Sequence, residues 1–203
     1  MASPPELESV ETLAYEECER LQTGRYLDST GFVTGDLGER EQWTRGMDHW
    51  VSRIETLFEI EISGWHGIAV TAVHGDGLDD VYLSDGGGLP NRLLVQQEDG
   101  SCRDASRESG LAFLDHTLGA LFGDYDNDGD QDVAISMVDG VLILANDGKG
   151  VFQIRSSKLF PAAVPYTLAA ADYDEDGDLD LFVCCYVHRT GAVRHSVVAR
   201  PVP

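Results

Sequence analysis

The sequence predicts an all-β fold, a partial β-propeller of about three four-stranded units, with an N-terminal α-helical segment in front of it. Three observations predict it. The stretch Asp124-Tyr125-Asp126-Asn127-Asp128-Gly129-Asp130-Gln131-Asp132 recurs as Asp172-Tyr173-Asp174-Glu175-Asp176-Gly177-Asp178-Leu179-Asp180, both in the pattern D-x-D-x-D-G-x-x-D. Short apolar runs, not helices, flank each copy, so each loop joins two strands as a hairpin. A degraded version lies upstream, and Asp80, Asp132 and Asp180 then align at spacings of 52 and 48 residues. Such a period with four short strands per unit points to propeller blades. A β-sandwich gives no reason for an acidic loop at the same place in every unit.

The chain divides into a helical segment, 1–63, and the repeated β units, 64–203. Residues 3–23 read as a helix: Ser3 is an N-cap with Glu6 three residues on, and Pro4 and Pro5 occupy the tolerated first turn. Val10, Leu13, Ala14, Cys18 and Leu21 form its apolar stripe, and Gly24 is a C-cap. A second helix follows from Leu37 to Phe58, where Trp43, Met47, Trp50, Val51, Ile54, Leu57 and Phe58 recur at helical spacing and pack on the rest of the protein. From Gly64 the character changes to β-like runs punctuated by Gly and Asp. The first unit holds strands at 68–70, 81–83, 91–95 and 101–103. The second holds 118–122, 133–137, 141–144 and a run beginning at Val151-Phe152, with turns at Asp139-Gly140 and Asn146-Asp147-Gly148. The third runs from Leu168 through its loop to Val187, and 188–203 contains no further loop motif.

Five carboxylates within nine residues repel one another unless a cation lies among them. Hard oxygen donors in that number suit Ca²⁺, which takes six to eight oxygens in a flexible shell, and the glycine after the third Asp lets the backbone turn sharply around the ion. The ligands assigned are the side chains at positions 1, 3, 5 and 9: Asp124, Asp126, Asp128 and Asp132, then Asp172, Asp174, Asp176 and Asp180. The backbone carbonyls of Asp130 and Asp178 are a further ligand in each loop. A solvated acidic turn is the plain alternative, and recurrence with the same apolar flanks outweighs it. An EF-hand is excluded, because its position 12 needs a bidentate Glu and these loops have Ile135 and Val183 there. Tyr125 and Tyr173, at position 2, are expected to point away from the ion and pack between strands.

With 203 residues and 42% hydrophobic content the chain can build a real core. A formal charge of −22 argues against nucleic acid and anionic membranes as partners. Cys18, Cys102, Cys184 and Cys185 form no C-x-x-C pair and no even spacing, so neither a zinc site nor a disulfide framework is expected. Adjacent on a strand, Cys184 and Cys185 point to opposite faces as small apolar fillers. No apolar run is long enough to span a bilayer, and the N-terminus shows no basic or apolar region of a signal peptide.

The loops, with Gly88-Leu89-Pro90-Asn91-Arg92-Leu93 after the first and Val141-Leu142-Ile143-Leu144-Ala145-Asn146-Asp147-Gly148 after the second, resemble the FG-GAP/VCBS repeat proteins. These also build the head of integrin α-subunits, and the flanks look like the bacterial branch associated with a UnbV/ASPIC-type domain. The resemblance covers roughly Gly64 to Val187. It implies about three FG-GAP-like blades whose metal loops are structural, in an extracellular, cell-surface or periplasmic protein used for adhesion or ligand binding. Two departures matter. The first loop has Ala72 and His74 at positions 1 and 3, leaving Asp76 and Asp80 as its acidic ligands. Imidazole is a poor partner for Ca²⁺, so that loop is expected empty or weak and His74 an ordinary surface histidine. Three units also fall short of the four to eight blades that close a propeller, so the chain is expected to be part of a larger one or to associate with itself.

The reading that follows is a Ca²⁺-stabilised binding or scaffold module for a protein or carbohydrate ligand. A propeller-based polysaccharide lyase or hydrolase is the alternative. It would need carboxylates, or a His/Tyr pair, free of metal in a cleft. His49, His66, His116, His188 and His195 are candidates by type alone, and G-x-S-x-G and H-E-x-x-H are absent. A calcium sensor would need a bistable element, which rigid hairpins do not supply.

Overall fold

The computed structural model describes residues 29–34, 67–85, 89–161, 163–188 and 196–199, with backbone alone at 186–188 and 196–199. The helices expected over 3–23 and 37–58 lie outside these residues. The helix that is described is one short piece, α1, Thr30–Thr34, whose Thr34 hydroxyl donates back to the Thr30 carbonyl.

Eleven strands follow among the described residues. The first unit is β1 (Ile68–Thr71), β2 (Asp80–Leu83), β3 (Arg92–Gln96) and β4 (Cys102–Asp104). The second is β5 (Thr117–Gly123), β6 (Asp132–Met137), β7 (Gly140–Asn146) and β8 (Phe152–Leu159). The third is β9 (Ala163–Ala171), β10 (Asp180–His188) and β11 (Ser196–Ala199). Each unit is an antiparallel meander in which sequential strands pair. The equivalent registers Thr71↔Asp80, Gly123↔Asp132 and Ala171↔Asp180 put every acidic loop at the tip of the hairpin joining a unit's first two strands. The segment 188–203, which contains no further loop motif, contributes β11 on the edge of β10.

Two apolar clusters join the three sheets. Val73, Tyr82, Leu93 and Val95 of the first unit bury against Val133, Ile135, Leu144 and Phe152 of the second. Phe122 stands edge-on between Tyr82 and Phe152, with ring centroids 6.2 Å from each. On its other side the second sheet uses Ala134, Val141 and Ile143 to cover Leu181, Val183 and Cys185 of the third, with Tyr125 between them. Because alternate residues of a strand face opposite ways, a sheet covered on both faces reads as a continuous apolar run. Accordingly β6 is buried along nearly its whole length, whereas β2 alternates. The sheets stack in sequence and do not close into a ring among the described residues.

Buried polar groups knit the first two units. The Asn91 amide donates to Tyr82 Oη and Thr117 Oγ1, both at 2.8 Å, and its Oδ1 accepts from the Asp85 N–H. Asn146 donates to the Val73 and Gln131 carbonyls. Satisfied networks of this kind fix one register, since an unpaired buried amide would be costly.

Candidate metal centre

Each full loop is first shaped by its own carboxylates. Asp124 accepts from the N–H groups of Asp128 (3.1 Å) and Gly129 (3.0 Å), and Asp128 accepts from Asp130 N–H (2.9 Å). The third unit repeats the pattern: Asp172 accepts from Asp176 and Gly177 N–H, both at 3.1 Å, and Asp176 from Asp178 N–H at 3.0 Å. These bonds wind the chain so tightly that position 4, Asn127 and Glu175, takes φ of 59° and 60°, and Gly129 and Gly177 take 94° and 95°. Only glycine adopts the last pair without strain.

The winding brings carboxylate oxygens of Asp124, Asp126 and Asp128 within 4.8 Å of one another, and those of Asp172, Asp174 and Asp176 likewise. The first group is half-buried except for Asp128, and the second is exposed. One oxygen of Asp126, Oδ2, is paired with the Arg155 guanidinium from β8. Its other oxygen, Oδ1, is buried and accepts no hydrogen bond. A buried carboxylate oxygen without a donor is a costly arrangement that a hard cation would relieve, so the donor set fits Ca²⁺ in chemistry.

Position 9 does separate work. Asp132 is 1% exposed, and its oxygens accept from Tyr125 N–H (3.0 Å) and Asn146 N–H (2.8 Å), tying the loop to β7. Asp80 does the same for Val73 and Gln96 N–H, both at 2.9 Å, and Asp180 accepts from Tyr173 N–H at 3.1 Å. Burial pushes the Asp132 carboxyl up; the Asn146 and Tyr125 amides oppose this, and the charges of Asp126 and Asp128 push it further up. At position 7 the side chains turn outward. Asp130 lies against Gly148, where a Cβ would come within 2.5 Å of its Oδ2, and Asp178 Oδ1 accepts a 2.6 Å bond from the Asn127 amide. That amide also reaches the Gly177 carbonyl at 3.3 Å, so the second and third loops touch directly.

Several expectations are corrected here. His74 is not an ordinary surface histidine: its ring is 29% exposed and lies so close to Gly150 that a Cβ there would come within 2.7 Å of Nε2. Its Nδ1 is buried, 3.7 Å from Asp80 Oδ2. Loss of the acidic residues at positions 1 and 3 has been filled by packing against the neighbouring unit. Tyr125 packs between sheets as expected, at 3% exposure, but Tyr173 is 81% exposed, with no sheet among the described residues against that side of the third unit. Cys184 and Cys185 do face oppositely, one exposed and one buried. Of the histidines weighed for catalysis, His49, His66 and His195 lie outside the described residues, and the His116 carbonyl is occupied by Val138 N–H. Sequence reading missed Arg155, Asn146 and the Asn127 bridge. Only Asn146 carried a local signal, in Asn-Asp-Gly, and that spoke of a turn.

The family profile described as FG-GAP-like repeat matches residues 73–135 and 124–183, each match running from one acidic hairpin loop through the next. Among curated proteins, the chain is 28% identical over 126 residues to cartilage acidic protein 1 of Xenopus tropicalis, covering 59% of this chain and 19% of that protein. Against cartilage acidic protein 1 of Homo sapiens it is 26% identical over 136 residues, 64% of this chain and 20% of that one. The chain thus spans about a fifth of the length of these relatives.

Proposed function

We propose, from the premise that this chain belongs to the FG-GAP-like repeat family, that it is a calcium-pinned β-propeller module used for binding or scaffolding at a cell surface or outside the cell. The observation that carries the reading is the pair of three-aspartate clusters at equivalent hairpin tips, one of them with a buried oxygen that no donor satisfies. Asp124, Asp126 and Asp128 would hold one ion, and Asp172, Asp174 and Asp176 the other. The remaining ligands are the Asp130 and Asp178 carbonyls, with Asp132 and Asp180 contributing from position 9. When bound, the ion supplies charge neutralisation and no reaction chemistry. The loop's own residues do the rest: Asp132 clamps the hairpin to the next strand, and Gly129 allows the turn.

Propeller blades built on this pattern, export from the cytoplasm, and a protein or carbohydrate ligand belong to the same reading. So does kinship with the bacterial VCBS branch. Likeness to cartilage acidic protein 1 supports the extracellular part. Binding is preferred to a lyase or hydrolase because the clustered carboxylates are poor bases once committed to a cation, and Arg155 already occupies Asp126. No helix among the described residues is long and apolar enough to cross a membrane.

Thermal unfolding in EDTA and in millimolar Ca²⁺ tests this. Extracellular calcium modules bind at roughly 10⁻⁴ to 10⁻³ M. Millimolar Ca²⁺ is about one- to tenfold over such a Kd and adds about 0.4–1.4 kcal/mol per site. Two sites should therefore raise Tm by several degrees, up to about 10 °C, and Asp128→Ala with Asp176→Ala should abolish the rise. An unchanged Tm in a folded protein would sink the calcium reading.

A further inference from the structure

The repeat register shows which way the core positions face, and among the described residues one face at each end of the stack has no sheet against it. Val73 and Tyr82 of the first unit, 2% and 1% exposed, face forward into the second unit. Their equivalents in the second unit, Tyr125 and Ala134, are 3% and 0% exposed because the third unit covers them. In the third unit the same two positions are Tyr173, 81% exposed, and Phe182, 42% exposed. Around them Thr167, Ala169, Ala171 and Cys184 are exposed as well, and the pairings Phe182↔Ala169 and Cys184↔Thr167 place these on the same side of the sheet. The backward face behaves in the opposite sense. Val133 and Ile135, then Leu181 and Val183, are all 0% exposed against the preceding unit, while the equivalent positions Val81 and Leu83 are half-buried. Beside them on β1, Ile68 and Val70 are 68% and 55% exposed.

We propose that the forward face of the third unit, centred on Tyr173 and Phe182, docks onto the backward face of the first unit, centred on Ile68 and Val70, in a second copy of this chain. The contact continues the interface the chain already makes twice within itself, between its first and second and its second and third sheets. It joins two different patches, so it is heterologous, and closes into a ring when the rotation per unit allows it. Charge opposes this pairing less than it would oppose a pairing of two full acidic loops. Where the second loop meets the third, Asn127 donates to Asp178. At the new contact position 4 is Glu175, an acceptor, and the facing position 7 in the first unit is Leu78 and not an aspartate. The first loop, with Ala72 and His74 in place of two aspartates, also meets the acidic third loop with less repulsion than a full loop would.

The test is sedimentation of the full chain up to about 100 µM, a range that reveals micromolar association, with two variants that each disable one face. Phe182→Asp removes the forward face, and Ile68→Asp with Val70→Asp the backward one. Wild type should be dimeric at the upper concentrations, each variant monomeric alone, and an equimolar mixture should restore a heterodimer through the one intact pair of faces. Because the mixture keeps one contact of two, its affinity should be at least tenfold weaker than wild type. Thermal unfolding within a few degrees of wild type qualifies a variant as folded, and Tyr173→Asp replaces Phe182→Asp if that one is not. A monomeric wild type, with the faces left for another partner or further units, overturns the proposal. So does a dimer in which one face pairs with itself, which one variant would preserve and the mixture would not restore.

Discussion

Asp128 and Asp132 lie four residues apart in one loop and do opposite things. The first puts a carboxylate into a cluster of like charges, so in the absence of a cation its removal relieves repulsion and forfeits only one exposed turn bond. The second accepts two amides in a buried site, and its removal strands Tyr125 and Asn146 N–H groups. Hydrogen bonds to charged groups contribute about 1.5–3 kcal/mol each. Asp132→Ala should therefore lower stability by about 2–4 kcal/mol even in EDTA, and by more in Ca²⁺ because a position-9 ligand goes with it, whereas Asp128→Ala should matter in Ca²⁺ alone; urea unfolding in both buffers separates them. Asp104 carries the pH dependence that is easiest to read. Burial would push its carboxyl up, but bonds from the Ser106 side chain and backbone and the Arg92 ion pair at 2.7 Å hold it below the ordinary carboxylate range. A carboxyl held low in the folded state stabilises above its unfolded pKa of about 3.9, and that contribution disappears as pH falls through the lower folded value. Asp104→Asn should thus destabilise at pH 7 and converge with wild type as pH falls below the unfolded-state value and through the lower folded one.

At the scale of one hairpin, the acidic loop was legible because its chemistry is local: five aspartates, a glycine and two flanking strands are written consecutively. The hairpin placement and the convergence of positions 1, 3 and 5 follow from that string. What links one loop to another is not written consecutively. Arg155 reaches Asp126 from a strand 29 residues on, and Asn127 reaches Asp178 across 51. Both contacts depend on how sheets stack, which no local pattern encodes. The Asn127 bridge has a measurable consequence. Its donor lies between two cluster residues of the second loop, and its acceptor belongs to the third, so ordering one loop helps order the other. An exposed bond of this kind is worth about 1 kcal/mol, or about fivefold in an equilibrium constant. Calcium titration by calorimetry should show the two loops of the wild type filling with mutual assistance of that order, and Asn127→Ala should make them independent; identical isotherms would exclude the coupling.

Across the whole molecule, the sequence announces three equivalent units but not that they differ in burial. Val133 to Met137 and Leu181 to Cys185 read as equally apolar strands, yet the first is covered on both faces while Phe182 and Cys184 of the second are exposed. Which sheet is in the middle is a property of the stack. Being in the middle, the second sheet belongs to both apolar clusters, so the described core should unfold as one cooperative body and not unit by unit. Ile135 is the position at which to see this. It is 0% exposed and faces the first unit from the second, and truncating such a side chain to alanine costs about 2–5 kcal/mol in lost transfer energy and cavity. Ile135→Ala should shift the urea midpoint of the whole transition with the slope m unchanged, because the first and third sheets lose their shared support together. Phe182→Ala removes a larger side chain, but one that is 42% exposed, and should cost less than about 1 kcal/mol in dilute solution. A biphasic curve for Ile135→Ala, with the third unit melting at the wild-type midpoint, would mean instead that the clusters are energetically separate.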